Sequence, residues 1–355
     1  MGPRPASIRS QGWSQFDHGA AGRARKSRVE CAKPKVLWQQ ALVIEPEVSR
    51  YGFVGHRAGG YKWNTTCGAE VCRVPSGLPG TYEEGKMAPI INSVELRNGV
   101  RLPYVEQGDP LGVPLLLVHA VGDSWRSFEP MLPHLPGSIH VFVPTLRGHG
   151  EASRLEMGYR SRDFAEDLAA FMEALHIGAA VIAGGSSGGL VVLRFAIDYP
   201  ERTIGLVLMG SPLRLGDKPG VRELWDSTIS KLTDPIDPSF VRGFVEGTLV
   251  RPVPSAFLES MVQESLKVPA FVWKATIAGI LEDDFSQELG RIAAPALIVW
   301  GDRDAILPRS EQETLALGIP GARLAVHPGG GHVFYWEDPA LAASDVAAFA
   351  GQIVN

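Results

Sequence analysis

Val181-Ile182-Ala183-Gly184-Gly185-Ser186-Ser187-Gly188-Gly189-Leu190-Val191-Val192 is the stretch that decides how this chain is read. A short apolar run enters Gly184, an apolar helix-like run leaves from Gly189, and Ser186 stands at the turn between them. A strand that turns sharply into a helix holds its turn residue in a strained backbone conformation. Neighbouring chain then passes too close for side chains at the flanking positions, and glycine fills them. Such a turn lifts the Ser186 hydroxyl above the carboxyl edge of a sheet. It also aims the N–H of Ser187, at a helix N-terminus, at the space where an oxyanion would form. Alone, Gly-x-Ser-x-Gly is weak evidence, because an ordinary Gly/Ser turn gives the same letters.

The segments around it alternate. Residues 94–96 and 100–105 flank Asn98-Gly99, a two-residue hairpin signal. Continuous apolar runs at 114–119 and 139–143 fit strands buried on both faces of a parallel sheet. Residues 161–175 carry Phe164, Leu168, Phe171, Met172 and Leu175 at helical spacing, with Ser161 or Asp163 able to cap. A strand at 179–183, a helix at 188–199 stopped by Pro200, and a strand at 204–209 follow. This rhythm predicts an α/β class, a doubly wound, mainly parallel sheet.

The rhythm breaks over 211–292, which reads as four helices at about 219–232, 237–250, 254–267 and 269–282, punctuated by Pro235, Pro238, Pro252, Pro254 and Pro269. Asp237 and Ser255 stand near two of the helix starts. Strand, helix, strand and helix then resume at 296–300, 309–317, 322–326 and 339–349. An all-helical insert between two parallel strands is a cap over their carboxyl edge. The expected division is a core at 87–210 and 293–355 with a helical cap at 211–292 inserted before the strand that carries the acid.

Composition narrows the function. The chain has 355 residues, 45% hydrophobic and 21% charged, the profile of a soluble globular protein. A formal net charge of -5 gives no basic footprint for nucleic acid. No apolar run reaches the ~18 residues of a membrane span. Cys31, Cys67 and Cys72 all precede Met87, so the enzyme-like part needs no disulfide and suits a reducing cytoplasm, the expected location. Residues 1–86 have an Arg-rich, acid-poor start and no apolar period, and are expected to form a poorly ordered extension. A transit peptide is one reading of them. A translated upstream stretch, with Met87 as the natural start, is favoured because Met87-Ala88-Pro89 directly precedes the first orderly strand pattern. Cys67 and Cys72 make half of a metal site that no other pair completes, so no metal is expected.

A serine hydroxyl needs a histidine base, and the histidine needs a carboxylate to fix its tautomer. Both follow in the order Ser, Asp, His. Gly301-Asp302-Arg303-Asp304 leaves the strand ending at Trp300, and Gly329-Gly330-Gly331-His332 leaves the strand ending at Val326. Both loops therefore lie on the sheet edge that carries Ser186. Asp304 is preferred over Asp302, which sits at the strand end. His332 is preferred over His327, which precedes Pro328 and reads as structural. The loop His119-Ala120-Val121-Gly122-Asp123-Ser124 is placed to give a second oxyanion donor beside Ser187, and Val121 is the choice. His119 and His149 read as braces.

These motifs, with Arg147-Gly148-His149-Gly150, resemble the α/β-hydrolase superfamily in its esterase, lactonase, haloperoxidase and carbon–carbon hydrolase branch. The likeness covers about residues 92–355. It implies hydrolysis through an acyl-enzyme, with Ser186 as nucleophile, His332 as base, Asp304 as orienting acid and no cofactor. Ala120 stands where that family usually has glycine, Gly185 where it has histidine before the nucleophile, and Thr145 where an acid often precedes Leu146. A serine at the elbow argues against epoxide hydrolases and haloalkane dehalogenases, which carry aspartate there.

Apolar side chains of the insert are expected to face the sheet edge. Trp225, Phe244, Met261 and Trp273, with Trp125 and Phe128 beyond the oxyanion loop, are the expected pocket residues. The expected partner is a small to medium apolar ester or lactone. Alternatives are a carbon–carbon bond hydrolase or perhydrolase on the same triad, or a hydrolase-fold receptor with little turnover. A homo-oligomer is compatible with the sequence.

Overall fold

Asn98 and Gly99 turn the chain between β1 (Ile91–Glu95) and β2 (Arg101–Gln107), with Gly99 at φ +78° and Glu95 paired to Arg101. A computed structural model describes residues 90–353, and the expectations for 1–86 lie outside them. The strands that follow are β3 (Val113–Val118), β4 (Ile139–Pro144), β5 (Ala180–Gly185), β6 (Thr203–Met209), β7 (Ala296–Gly301) and β8 (Arg323–His327). They form one sheet in the order β1-β2-β4-β3-β5-β6-β7-β8. β2 runs antiparallel to β1 and β4, and every later pairing is parallel. The central strands are buried throughout, as their unbroken apolar runs require, whereas edge strand β8 is half-exposed.

α1 (Ser161–Ala174) lays Phe164, Leu168 and Phe171 on the core, and α2 (Gly188–Asp198) packs against α1 and β5. The Asp163 carboxylate accepts the Arg160 N–H at 2.9 Å at the start of α1, so Asp163 caps while Ser161 turns its hydroxyl to Asp283. Between β6 and β7 lie α3 (Pro219–Ser227), α4 (Pro238–Glu246), α5 (Ser255–Leu266) and α6 (Ala270–Glu282). Two are shorter than their sequence periods predict. Thr228, at φ -133°, ends α3 and leaves only a 3-10 turn at Ile229–Lys231. Asp237 caps α4 through Ser239 N at 2.8 Å, and Gly247 closes it. α7 (Arg309–Gly318), the short α8 (Phe334–Glu337) and α9 (Pro339–Ile353) complete the chain. Among the described residues no helix is long and apolar enough to cross a membrane.

One buried ion pair ties the hairpin, the loop after β4 and α1 together. The Arg147 guanidinium grips both oxygens of Asp167, whose carboxylate also accepts Asn98 Nδ2 at 2.8 Å. Removing one partner leaves a buried charge alone, which costs far more than the intact pair contributes. Asp167→Ala is expected to lower unfolding stability by about 3–5 kcal/mol. Urea unfolding measures this, and a loss under about 1 kcal/mol would refute the role given to the pair.

Candidate active site

Ser186 adopts φ +49°, a left-handed conformation that costs a non-glycine residue about 1–2 kcal/mol. Its N–H donates to Met209 O at 2.9 Å, and its carbonyl accepts Gly189 N–H at 2.8 Å, so the turn is fixed from both sides. A Cβ at Gly188 would collide with the Val118 carbonyl oxygen, which explains the glycine after the turn. A Cβ at Gly185 would sit 2.7 Å from the Tyr335 hydroxyl, so Tyr335 occupies the volume that a larger residue before Ser186 would need.

The turn brings three distant residues together. His332 Nε2 lies 2.7 Å from Ser186 Oγ, and His332 Nδ1 lies 2.9 Å from Asp304 Oδ2. The second Asp304 oxygen accepts the N–H groups of Ile306 (2.8 Å) and Leu307 (3.0 Å). A carboxylate held this way fixes Nδ1 as the protonated nitrogen and leaves Nε2 to accept from the serine. Asp302 instead accepts Gly329 N–H at 2.6 Å, and His327 pairs with Asp345 at 2.6 Å. Neither of these two takes part in the Ser186 relay.

The loop after β3 is braced from beneath. His119 Nδ1 donates to Ala120 O at 2.8 Å, and its Nε2 accepts Leu146 N–H at 2.9 Å. Burial, then the nearby His149, lower its pKa to about 3, so the ring is neutral and serves as a spacer. Thr145, standing where the resembled family often has an acid, accepts Trp125 N–H at 3.2 Å. Ala120 is not in the left-handed region, so this loop does not require glycine there. Ser187 N–H, at the start of α2, has no acceptor among the described residues. Val121 N–H, expected to face the same space directly, donates to Ser187 Oγ at 2.9 Å.

The cleft above Ser186 measures about 800 Å³ out to open solvent. Leu215, Leu224, Phe244, Ile277, Ile306 and Trp336 line it beside Ser186, Ser187 and His332. Of the aromatic and methionine residues expected there, only Phe244 contributes. Trp273 is fully buried, edge-on to Phe240 and Phe244 and close above Gly122, while Met261 and Phe128 are core. Trp125 is buried under Arg126, and Trp225 packs on the core outside the lining. Trp336 was missed. It lies four positions after His332, in α8, close enough in sequence to the base to be a candidate. Among the described residues, no group of three or more His, Cys, Asp and Glu side chains could hold a metal ion.

Among the described residues, Asp123 is the acid that lines this apolar space. Asp123 is buried and accepts the Ser127 hydroxyl at 2.9 Å, and Ser127 in turn accepts Trp336 Nε1–H at 3.1 Å. Burial pushes its pKa up to about 8, against the hydrogen bonds from Ser127 and the Ala120 backbone, with Glu264 raising it further. Another carboxylate steadies the base loop. Glu337 accepts Gly331 N–H at 2.7 Å with one oxygen, and Val250 and Arg251 N–H at 2.6 and 3.0 Å with the other.

A family model described as alpha/beta hydrolase fold matches residues 113–339. Lipase 1 of Psychrobacter immobilis is 28% identical over 273 residues, 71% of this chain and 81% of the lipase. A 2-hydroxy-6-oxononadienedioate/2-hydroxy-6-oxononatrienedioate hydrolase of Burkholderia vietnamiensis is 28% identical over 271 residues, 72% of this chain and 93% of that protein. Among solved structures, Est816, described as an N-acyl homoserine lactone degrading enzyme, superposes with a TM-score of 0.61 at 27% identity, covering 73% of this chain and 100% of that one.

The raised Asp123 pKa has a thermodynamic sign. The folded state holds this proton more firmly than the unfolded state, so stability is full below the ordinary 3.8 and falls as pH rises toward about 8. Asp123→Asn removes that dependence. Its Tm relative to the wild type is expected to rise by at least about 3 °C between about pH 4.5 and pH 8. A pH-independent offset in thermal unfolding would show that Asp123 is not buried as a neutral acid.

Proposed function

Because the chain belongs to the alpha/beta-hydrolase fold family, we propose that it is a serine hydrolase cleaving carboxylic esters or lactones of small to medium apolar substrates. The observation that carries this is the relay from Ser186 Oγ through His332 to Asp304 at the floor of an apolar cleft. Ser186 Oγ attacks the carbonyl carbon as His332 Nε2 takes its proton, and negative charge moves to the carbonyl oxygen. The Ser187 N–H and the Val121 loop face that charge. The C–O bond to the leaving alkoxide breaks as His332 returns the proton to it. Water, deprotonated by the same ring, then releases the acid and restores Ser186. Asp304 keeps the imidazole in the required tautomer and stabilises its protonated form.

We read residues 211–292 as a cap that supplies the apolar side of the cleft through Leu224, Phe244 and Ile277. The lipase and lactone-degrading relatives support the ester and lactone classes. The Burkholderia relative favours a second reading, carbon–carbon bond hydrolysis. A dicarboxylate substrate of that kind would meet no Lys or Arg among the described residues that line the cleft.

Nitrophenyl esters of rising acyl length, acyl-homoserine lactones and a 2-hydroxy-6-oxo dienedioate separate these readings. Short to medium nitrophenyl esters are expected to turn over, with Ser186→Ala lowering kcat by about 10⁴-fold or more. Turnover confined to charged or polymeric substrates, or an active Ser186→Ala variant, would overturn the proposal. Tight binding without turnover would favour a receptor.

A further inference from the structure

We propose that the side chain of Ser187 is itself an oxyanion donor, accepting the Val121 N–H and presenting its own O–H to the substrate oxygen beside the Ser187 N–H. The inference rests on the reading of Ser186 as nucleophile.

Ser187 stands at the N-cap of α2, where a serine hydroxyl ordinarily bonds back to an N–H of the first turn. Here it makes no such bond, and its backbone is already helical at φ -62°, ψ -21°. The hydroxyl turns instead toward the loop after β3 and accepts Val121 N–H at 2.9 Å. A hydroxyl has one proton and two lone pairs. One lone pair is taken, and the proton has no acceptor among the described residues. The residue is only 6% exposed and lines the cleft with Ser186 and His332, so solvent does not readily supply that acceptor. A substrate carbonyl oxygen bound over Ser186 does.

The chain Val121 N–H to Ser187 Oγ, and Ser187 O–H to the oxyanion, also gains from polarisation, because a hydroxyl that accepts a hydrogen bond becomes a better donor. No proton is transferred. The O–H bond stays intact while the neighbouring oxygen carries charge, and Val121 acts as a positioning residue at one remove. The opposite reading makes the hydroxyl an obstruction that keeps Val121 N–H from the substrate. The two readings predict opposite results on deletion.

The test compares wild type, Ser187→Ala and Ser186→Ala on nitrophenyl butyrate, with a trifluoromethyl ketone as transition-state mimic and butyrate as ground-state mimic. Ser187→Ala is expected to lower kcat on the order of 10²-fold, with KM and butyrate affinity within about threefold. Ketone affinity should fall in parallel with kcat/KM, while thermal unfolding falls only by the loss of the one Val121 hydrogen bond. A kcat within about tenfold of the wild type, or above it, overturns the inference and marks the hydroxyl as neutral or obstructive. If Ser187→Ala does not fold, Ser187→Cys, whose thiol is a weak donor, is read by the same criteria. A wild type with no more turnover than Ser186→Ala removes the reading of Ser186 and this inference with it. An active wild type matched by an active Ser187→Ala removes this inference alone.

Discussion

The left-handed backbone of Ser186 is the constraint on which the other features of the site depend. That geometry persists because β5 ends, and α2 begins, within two residues of it, and because Met209 and Gly189 hold its two peptide groups. The close approach of Val118 to Gly188 follows from the same turn. So does the position of the hydroxyl above the parallel strand ends, within 2.7 Å of an imidazole that comes from the last strand loop. Strain at one residue thus selects which loops can converge there.

Two polar side chains of those loops, Asp304 and His119, are fully satisfied. Asp304 spends one oxygen on two backbone N–H groups and the other on His332. His119 is neutral and bonded at both ring nitrogens, so it holds Ala120 and Leu146 at a set separation without adding charge beneath the oxyanion loop. Asp123, its carboxyl protonated in the neutral range, leaves the cleft wall without a formal charge that would repel the oxyanion of the proposed reaction. The cleft therefore offers its donors and its base against a low-dielectric background, where each interaction counts for more.

Most of the fold was legible because its signals are local. An apolar run that enters Gly184 and a helical run that leaves Gly189 describe the turn without reference to anything distant. Asp304 and His332 were findable because parallel strands bring their following loops to one edge. The cleft wall was not legible in the same way. Helical spacing shows that Trp273 and Met261 are buried, but not whether they face Gly122, the core or the substrate, since that depends on how four helices roll against one another. Trp336 reaches the cleft from the base loop instead of from the insert. The Val121 amide lies on the loop after β3, yet its partner is a side chain from the neighbouring turn, a contact across 66 positions that no local pattern encodes.

Glu337 links two regions that the chain order keeps apart. One of its oxygens holds the backbone just before His332, and the other holds Val250 and Arg251, beyond the end of α4. Displacing Val250 outward would either break those two bonds or pull on Gly331, the residue before His332. Through this one side chain, the position of the backbone beyond α4 is coupled to that of the backbone just before His332.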